Sequence, residues 1–442
     1  MNRSAFCSST LSRTCASRVV LGILLLLLGS GIWIGLALMG TGVLGLLIFR
    51  NMPVDVLLGQ IAWNTSTITE LVTLPLFVLM AEILFRTRLA ASLFDALAPW
   101  ITWIPGRLAH INVIACTMFA AVSGSSAATA ATIGRITIGE LLRCGCDKSL
   151  AMGSLARAGT LGFLIPPSIV MVVYSVLAQV SLLDLFLAGI IPGVLLAACF
   201  SLTIVGLVWW KPALVPPDTE RFTWAQRIES LKNLVPLTSL IGVIIGSMIF
   251  GWATPNEAAA VGVDGALVLA AFSGGLTVPN LRAALTGAVA TLSMIALILI
   301  GAGFVSTTMS YLGVPQAVAN AVAPLQLGPL GLIAMLLVLY LILGTALDGI
   351  SCIVLTLPVV LPLVKAAGFD PVWFGIFLVV TVEMAEVTPP VGFCMFVIQG
   401  LAESTTGEVA RAALPFFLVM LLFSGLIVAF PSIVMWLPGL GR

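Results

Sequence analysis

The sequence predicts an all-α polytopic membrane protein made of inverted repeats, with two re-entrant helical hairpins and two broken helices. Three observations support this fold class. Hydrophobic residues make up 60% of the 442-residue chain and charged residues only 8%, whereas soluble proteins carry about 25% charged residues. Uncharged apolar stretches recur along the chain, each long enough to cross about 30 Å of hydrocarbon as a helix. Two polar interruptions, each followed by a Pro-Pro pair, recur at one separation.

Composition and motifs exclude several function classes. Continuous apolar runs differ from the short alternating strands of a membrane barrel. The net charge is +1 without a basic cluster, so nucleic acid is not an expected partner. The sequence contains no phosphate-binding G-x-x-x-x-G-K-[ST] loop, so we do not expect the chain to hydrolyse ATP. No nucleophile, base and orienting group occur at recognisable spacing, so we predict no enzyme activity and no catalytic residues.

The N-terminal part predicts a short tail followed by membrane-embedded segments. Residues 1–18 form a polar tail with three arginines, and residues 19–49 are uncharged. That run is too long for the apolar region of a cleaved signal peptide, so it predicts a retained first span, tilted or broken. Residues 53–70 are interpreted as a polar connection and residues 71–85 as a second apolar segment. Residues 91–107 alternate charge, Trp and Pro, which is typical of an amphipathic helix at the interface.

Residues 108–142 predict the first re-entrant hairpin. Its centre, FAAVSGSSAATAATIG, has little side-chain bulk and carries five hydroxyls. Each arm is too short to span the membrane. The SGSS segment is a poor helix former, and a break there leaves backbone groups unpaired at membrane depth, which is tolerated only where the break lines a cavity or holds an ion. The alternative is a helix-packing seam of small residues that binds nothing.

The rest of the chain continues this pattern of spans and breaks. The predicted elements, in order, are an apolar segment over 150–178 broken at 162–168, a span over 183–210, a polar loop over 211–233, spans near 234–252, 257–275 and 286–310, an interfacial stretch over 311–328, a second hairpin over 329–364 turning at 343–349, a segment over 372–398 broken at 387–392, and a final span ending near residue 437.

The distribution of positive charge predicts the orientation. With the N-terminus in the cytoplasm, most of the 19 Lys and Arg residues fall on the cytoplasmic side, including those of the 211–233 loop. Only Arg50, Lys365 and Arg442 lie outside, and Arg135 and Arg157 lie within spans. This asymmetry follows the positive-inside rule.

An internal repeat relates the two halves of the chain. Pro166 and Pro389 are 223 residues apart, as are Pro192 and Pro415. The same shift carries SGSS onto residues 346–349, at the turn of the second hairpin. One extra crossing follows the polar loop, so the second copy is inverted. Inverted repeats with paired broken helices are typical of secondary transporters, whose binding site lies at the midplane between them. A channel would instead require a charged or carbonyl ring from several subunits.

Several long motifs carry a resemblance to a known family. They are FAAVSGSSAATAATIG, AGTLGFLIPPSIVMVVYSVLAQVSLLDLFLAGIIPG, GWATPNEAAAVG, LGTALDGIS and GFDPVWFGIFLVVTVEMAEVTPPVGFCMFVIQG. In this order they resemble the large membrane subunit of TRAP (tripartite ATP-independent periplasmic) transporters. The resemblance implies a sodium-coupled importer of small organic acids in the bacterial inner membrane. It also implies elevator-type movement, a small four-helix membrane subunit and a periplasmic substrate-binding protein.

The repeat and the resemblance together divide the chain into a scaffold and a transport domain. The scaffold comprises residues 19–107 and 234–328. The transport domain comprises residues 108–210 and 329–442. Because no run of four extra helices precedes residue 19, we expect the small subunit to be a separate chain.

The same reasoning predicts two sodium sites. Sodium prefers several oxygen ligands, which hydroxyls and unwound carbonyls supply without burying a full carboxylate. The first site would join the first hairpin tip to the first break, through Ser123, Gly124, Ser125, Ser126, Gly162, Ile165 and Pro167. Its mirror would comprise Gly344, Thr345, Asp348, Ala385, Thr388 and Pro390. The alternative for each proline pair is a simple hinge.

The chain departs from the usual sequence pattern of the family at five positions. Gly139, Cys146, Arg157, Ala385 and Cys394 replace the residues that the family usually has. Ala385 and Cys394 affect the second ion site.

Acids within apolar segments are costly and are expected to be functional or paired. These are Glu257, Asp264, Asp348, Glu383 and Glu386. Glu383 and Glu386 either take part in coupling transport to ions or accept hydrogen bonds from neighbouring helix ends. Arg157 either meets an anionic substrate or forms a structural ion pair with one of the acids, and we favour the ion pair.

Two function classes remain. The leading hypothesis is a sodium-driven carrier that works with a partner subunit and a binding protein. The alternative is a stand-alone ion-coupled carrier or channel-like permease of the same inverted-repeat fold.

Overall fold

A computed structural model describes residues 19–50, 52–87, 89–216, 222–322, 328–345, 347–388 and 392–440. Within these ranges the regular elements are helices. The first half contains α1 (Val19–Gly29), α2 (Ile34–Phe49), α3 (Val54–Ser66), α4 (Thr73–Leu84), α5 (Leu89–Ile101), α6 (Ala109–Ser123), α7 (Ser126–Arg143), α8 (Lys148–Ala158), α9 (Ile169–Ala178) and α10 (Leu182–Trp210). Short 3₁₀ helices cover Thr69–Val72, Gly159–Phe163 and Pro212–Leu214.

The second half begins after the polar loop. It contains α11 (Trp224–Ile249), α12 (Pro255–Phe272), α13 (Val278–Leu312), α14 (Val314–Val322), α15 (Pro329–Leu343), α16 (Gly349–Ala366), α17 (Pro371–Ala385), α18 (Phe393–Ala402), α19 (Thr406–Ala429) and α20 (Ser432–Leu440). Among the described residues, α10, α11, α13, α16 and α19 are long and apolar enough to cross a membrane. The all-helical, polytopic class predicted from composition is therefore confirmed.

The internal repeat is visible in the helix boundaries. α8 and α17 begin 223 residues apart, and so do α7 and α16. Asp147 and Asp370, which precede α8 and α17, cap these helices in the same way. Each accepts hydrogen bonds from the backbone N–H groups two and three residues further on, at 2.9 and 3.2 Å for Asp147 and at 2.7 and 3.2 Å for Asp370. Such caps satisfy amides that have no partner within the helix. The repeat therefore extends from the prolines to the local hydrogen bonding.

The arms of the two predicted hairpins pack differently. α6 and α7 lie against each other on either side of Gly124, which has a left-handed backbone with φ of 59°. α15 and α16 make little contact with each other; α15 packs on α17, and α16 packs on α9. The second tip is therefore held mainly by helices outside its own hairpin.

The helices form two groups by their packing. In one group, α13 packs on α2 and α4, α12 on α4, and α11 on α5. In the other, α8 packs on α19 and α7 on α18, while α10 contacts α6, α17, α19 and α20. The two groups meet at several places: α4 contacts α6 and α9, α5 contacts α6 and α7, α11 contacts α6, and α13 and α14 contact α16. Both hairpin tips and the break after α8 belong to the second group.

Two local predictions were wrong, and a third, which allowed a tilted or a broken first span, is decided by the structure. Residues 53–70 are not a polar connection: α3 occupies most of this stretch, and together with the helical stretch Thr69–Leu84 it forms a pair bent by 61°. The polar loop predicted over 211–233 ends earlier, because α11 starts at Trp224. Thr223 and Gln226 form a capping box there that starts the helix among polar residues. The first apolar run is broken, since α1 ends at Gly29 and α2 starts at Ile34.

Candidate functional site

The first hairpin tip is joined to the first helix break. Gly124 ends α6, and its carbonyl accepts a hydrogen bond from Ile169 N at 3.3 Å. A Cβ added to Gly124 would lie 2.9 Å from the Pro167 carbonyl oxygen, and its positive φ already disfavours other residues. Glycine is therefore required at this junction for two separate reasons.

A second close approach lies beside this junction. A Cβ added to Gly162 would lie 2.9 Å from the carbonyl carbon and oxygen of Ser125. Ile165 is buried and faces Gly193, where an added Cβ would lie 2.8 Å from its Cγ1. The structure thus brings Gly162 and Pro167 of the first break against Ser125 and Gly124 of the hairpin tip, whereas Ile165 packs on Gly193 of α10.

The four hydroxyl groups at this tip differ in their hydrogen bonding. The Ser123 and Thr129 hydroxyls are 2.5 Å apart, and the Thr129 hydroxyl donates to the Ser125 carbonyl at 2.8 Å. The Ser126 hydroxyl donates to Glu386 Oε2 at 2.6 Å. The Ser125 hydroxyl is half-buried and makes no hydrogen bond within the part of the chain that the structure describes. Ser125 therefore has the hydroxyl that is available to a ligand.

The residues predicted for the second site are more engaged locally. Gly344 packs directly on Ala385, and a Cβ on Gly344 would collide with the Ala385 side chain. Asp348 caps α16 by accepting from Ser351 N at 3.3 Å.

The Thr345 hydroxyl donates to the Ile342 carbonyl at 2.7 Å and the Thr388 hydroxyl to the Met384 carbonyl at 2.6 Å. Pro390 lies outside the described residues. The second tip and second break meet at Gly344 and Ala385, while the predicted side-chain oxygens form bonds within their own segments.

Glu386 connects the two halves of this region. It lies in the turn at the end of α17, with 2% of its surface exposed. Oε2 accepts from the Ser126 hydroxyl, and the Cys394 thiol donates to the same oxygen at 3.4 Å. Oε1 accepts from Gly349 N, the first residue of α16, at 3.3 Å. One carboxyl group therefore joins the first hairpin tip, the second hairpin and both sides of the second break.

Arg157 approaches the second break from α8. It is 1% exposed, and its two terminal nitrogens donate to the carbonyls of Met384 at 3.0 Å and Val387 at 3.3 Å. Its guanidinium also lies over the Phe417 ring, 5.1 Å from the centroid. No carboxylate of the described chain lies within salt-bridge distance of it. The predicted ion pair was therefore wrong: the break supplies carbonyl acceptors for the two terminal nitrogens, while the buried Nε has no hydrogen-bond partner in the described chain.

The remaining acids divide between buried and surface positions. Both Glu383 carboxyl oxygens are buried and lack a hydrogen-bond partner in the described chain. Glu257 is exposed and completes a capping box with Thr254 at the start of α12. Asp264 is also exposed. Of these four acids, Glu383 and Glu386 are therefore the ones buried within the protein, and Glu257 and Asp264 lie on its outer surface.

The site predicted from the sequence omitted three residues that the structure places in it. Glu386 was noted only as a costly acid, and Cys394 only as a departure from the family pattern. Gly349 was recognised as part of the repeated turn. The available signals were the acid beside T-P-P and the 223-residue shift that pairs Ser126 with Gly349.

Helical membrane proteins with repeated, broken helices that meet at a polar cluster form the class of secondary transporters. The chain matches the family model "Tripartite ATP-independent periplasmic transporter, DctM component" over residues 20–433 and belongs to that family. It is therefore a multi-pass TRAP transporter large permease subunit with a transport role, which confirms the resemblance found in the sequence.

Similar proteins agree with this assignment. The chain is 32% identical to the C4-dicarboxylate TRAP transporter large permease protein DctM of Pseudomonas aeruginosa, covering 90% of this chain and 92% of that protein. It is 33% identical to the ectoine/5-hydroxyectoine TRAP transporter large permease protein UehC of Ruegeria pomeroyi, covering 83% and 86%. The fold is similar to the crystal structure of the Alcanivorax borkumensis YdaH transporter, with a TM-score of 0.62, 15% identity and coverage of 86% and 90%.

Proposed function

We propose that this chain is the permease of a sodium-coupled importer of a small organic acid, which a periplasmic binding protein delivers. The observation that carries the proposal is the half-buried Ser125 hydroxyl, which has no hydrogen-bond partner among the described residues and lies next to the carbonyl-lined junction of the first tip and first break. Hydroxyl and carbonyl oxygens at a helix break are the ligands that coupling ions use in such transporters. Sodium at this junction would tie Ser125 to the Gly162 side of the break.

The proposed substrate class rests on the relatives. They are named for C4-dicarboxylates, 2,3-diketo-L-gulonate, isethionate and ectoine. Family membership supports a tripartite system with a small four-helix membrane subunit and a periplasmic binding protein. We assign the chain to the inner membrane, with its N-terminus in the cytoplasm.

We also propose that the two packing groups move relative to each other during transport. Residues 19–107 and 234–328 form the scaffold, and residues 108–210 and 329–442 form the transport domain. The extensive packing within each group, of α13 on α2 and α12 on α4 in one and of α8 on α19 and α7 on α18 in the other, supports this division.

The test is uptake by proteoliposomes that contain this chain and its small membrane subunit, with the binding protein added outside. The radiolabelled probes are succinate, 2,3-diketo-L-gulonate, isethionate and ectoine. We expect uptake of one probe to require an inward sodium gradient. Equal uptake with choline in place of sodium at a fixed pH would contradict sodium coupling. Uptake that does not need the binding protein would favour the stand-alone carrier.

A further inference from the structure

Resting on the proposed sodium coupling, we infer that Arg157 is a tethered cation that replaces the sodium ion of the second repeat. The second break then binds no sodium in this protein, and the first junction is its one sodium site. This assigns Arg157 as the residue that sets how many ions accompany the substrate.

The guanidinium occupies the place where a cation at the second break would bind. α17 ends at Ala385, and its last carbonyls have no amide partner further along a helix. These helix ends carry partial negative charge, which favours a cation. Arg157 donates to one of these carbonyls, that of Met384, which also accepts the Thr388 hydroxyl. It also donates to the Val387 carbonyl in the turn that follows α17. Arginine keeps its charge in proteins and presents its donors in a fixed planar fork, so it satisfies both carbonyls at once.

Arg157 forms no ion pair in the described chain. No carboxylate within the described ranges lies within salt-bridge distance. Its remaining contacts are the Phe417 ring and the Met420 sulfur, 3.7 Å from Nη1. Glu383, the residue before Met384 in α17, is fully buried and lies outside salt-bridge distance of the guanidinium. The carbonyls of the break are therefore the main partners of a buried positive charge, as they would be for sodium.

Comparison of the two repeats shows that only the second break receives a positive charge from the repeat-related helix. α8 and α17 correspond with a shift of 223 residues, which places Val380 at the position equivalent to Arg157. Val380 is apolar and fully buried, so the first break receives no cation from the repeat-related helix. Within the described ranges the Ser125 hydroxyl at the first tip has no hydrogen-bond partner, whereas the Thr388 hydroxyl at the second break donates to the Met384 carbonyl. One repeat is thus open to a mobile cation and the other already contains a fixed one.

Equilibrium binding of radioactive ²²Na⁺ to the purified full-length chain in lipid nanodiscs tests the inference. We expect one sodium ion per wild-type chain, and an affinity for that ion that is lower by about tenfold or more after Ser125→Ala. Arg157→Ser removes the fixed cation and opens space, so it should bind two ions. Arg157→Lys is the matched control that keeps the charge and should bind one ion.

Thermal unfolding separates coupling from a merely structural role. In choline chloride, Arg157→Ser should unfold at a lower temperature than wild type, because the break carbonyls lose their partner. Sodium chloride at equal ionic strength should recover most of this loss, since the ion stabilises the folded state that binds it. A loss of equal size in both salts would contradict the inference.

The binding counts also separate the inference from the proposed function. Two ions on the wild-type chain would overturn the inference even if no variant folds. One ion on a folded Arg157→Ser variant would also overturn it. No ion on wild type but one on Arg157→Ser would support the fixed cation and contradict sodium coupling at the first junction. No ion on either chain would overturn both.

Discussion

Replacing Ser126 by Ala should destabilise the protein, whereas replacing Ser125, its neighbour in the chain, should not. The Ser126 hydroxyl donates to Glu386 at 2.6 Å, and both side chains are 2% exposed. Without this hydroxyl, Glu386 Oε2 keeps only the Cys394 thiol at 3.4 Å, which is a weak donor. A buried acceptor that loses its partner costs about 1–3 kcal/mol. Interhelical hydrogen bonds in membranes average about 0.6 kcal/mol, so we expect a loss of about 1–2 kcal/mol.

Ser125→Ala is the matched control, since it removes an equal hydroxyl one residue away that has no hydrogen-bond partner among the described residues. Its effect on the free energy of unfolding should stay within about 0.5 kcal/mol, as for substitutions away from specific contacts. Its apparent sodium affinity should fall by about tenfold or more, which corresponds to about 1.4 kcal/mol. The two variants should therefore separate stability from ion binding.

The assay is reversible unfolding by SDS titration in mixed micelles, followed by far-UV circular dichroism, together with the sodium dependence of uptake. Ser126→Ala should lower the unfolding midpoint, and Ser125→Ala should change only the sodium dependence. Equal destabilisation by both substitutions would refute the role assigned to the link between Ser126 and Glu386. Unchanged sodium dependence in Ser125→Ala would refute Ser125 as a ligand through its side chain.

Two further predictions concern packing and topology. Gly344→Ala should lower the free energy of unfolding by about 1–3 kcal/mol, because its Cβ would collide with Ala385. Gly139→Ala is the control, since nothing lies within 4 Å of the added Cβ. In the same SDS titration it should be neutral or stabilising by up to about 1 kcal/mol. Single cysteines at Lys148 and Lys365, both exposed, should react unequally with an impermeant thiol reagent in a background without native cysteines. Equal labelling from outside would contradict the inverted repeat.

The fold class followed from the sequence because its causes are local and repeated along the chain. Long apolar runs dictate membrane helices, since backbone groups in lipid must be satisfied within each segment. Gly124 and the proline pairs interrupt those runs with residues that helices do not tolerate. Boundaries were less certain where polar residues are helical, as in α3 and the start of α11, because caps and tertiary packing there outweigh composition.

The partners of the buried charges depended on the tertiary structure. The sequence alone showed that Arg157, Glu383 and Glu386 lie within apolar segments, where burying a charged side chain is unfavourable unless it has partners. It did not specify which ones, since Ser126 is 260 residues from Glu386 in the chain and Arg157 is 227 residues from Met384. Only the packing of the second repeat against the first brings the Met384 carbonyl within reach of Arg157. An arginine expected to pair with an acid therefore binds the carbonyls of a helix break, because folding places those acceptors closer than any carboxylate of the described chain.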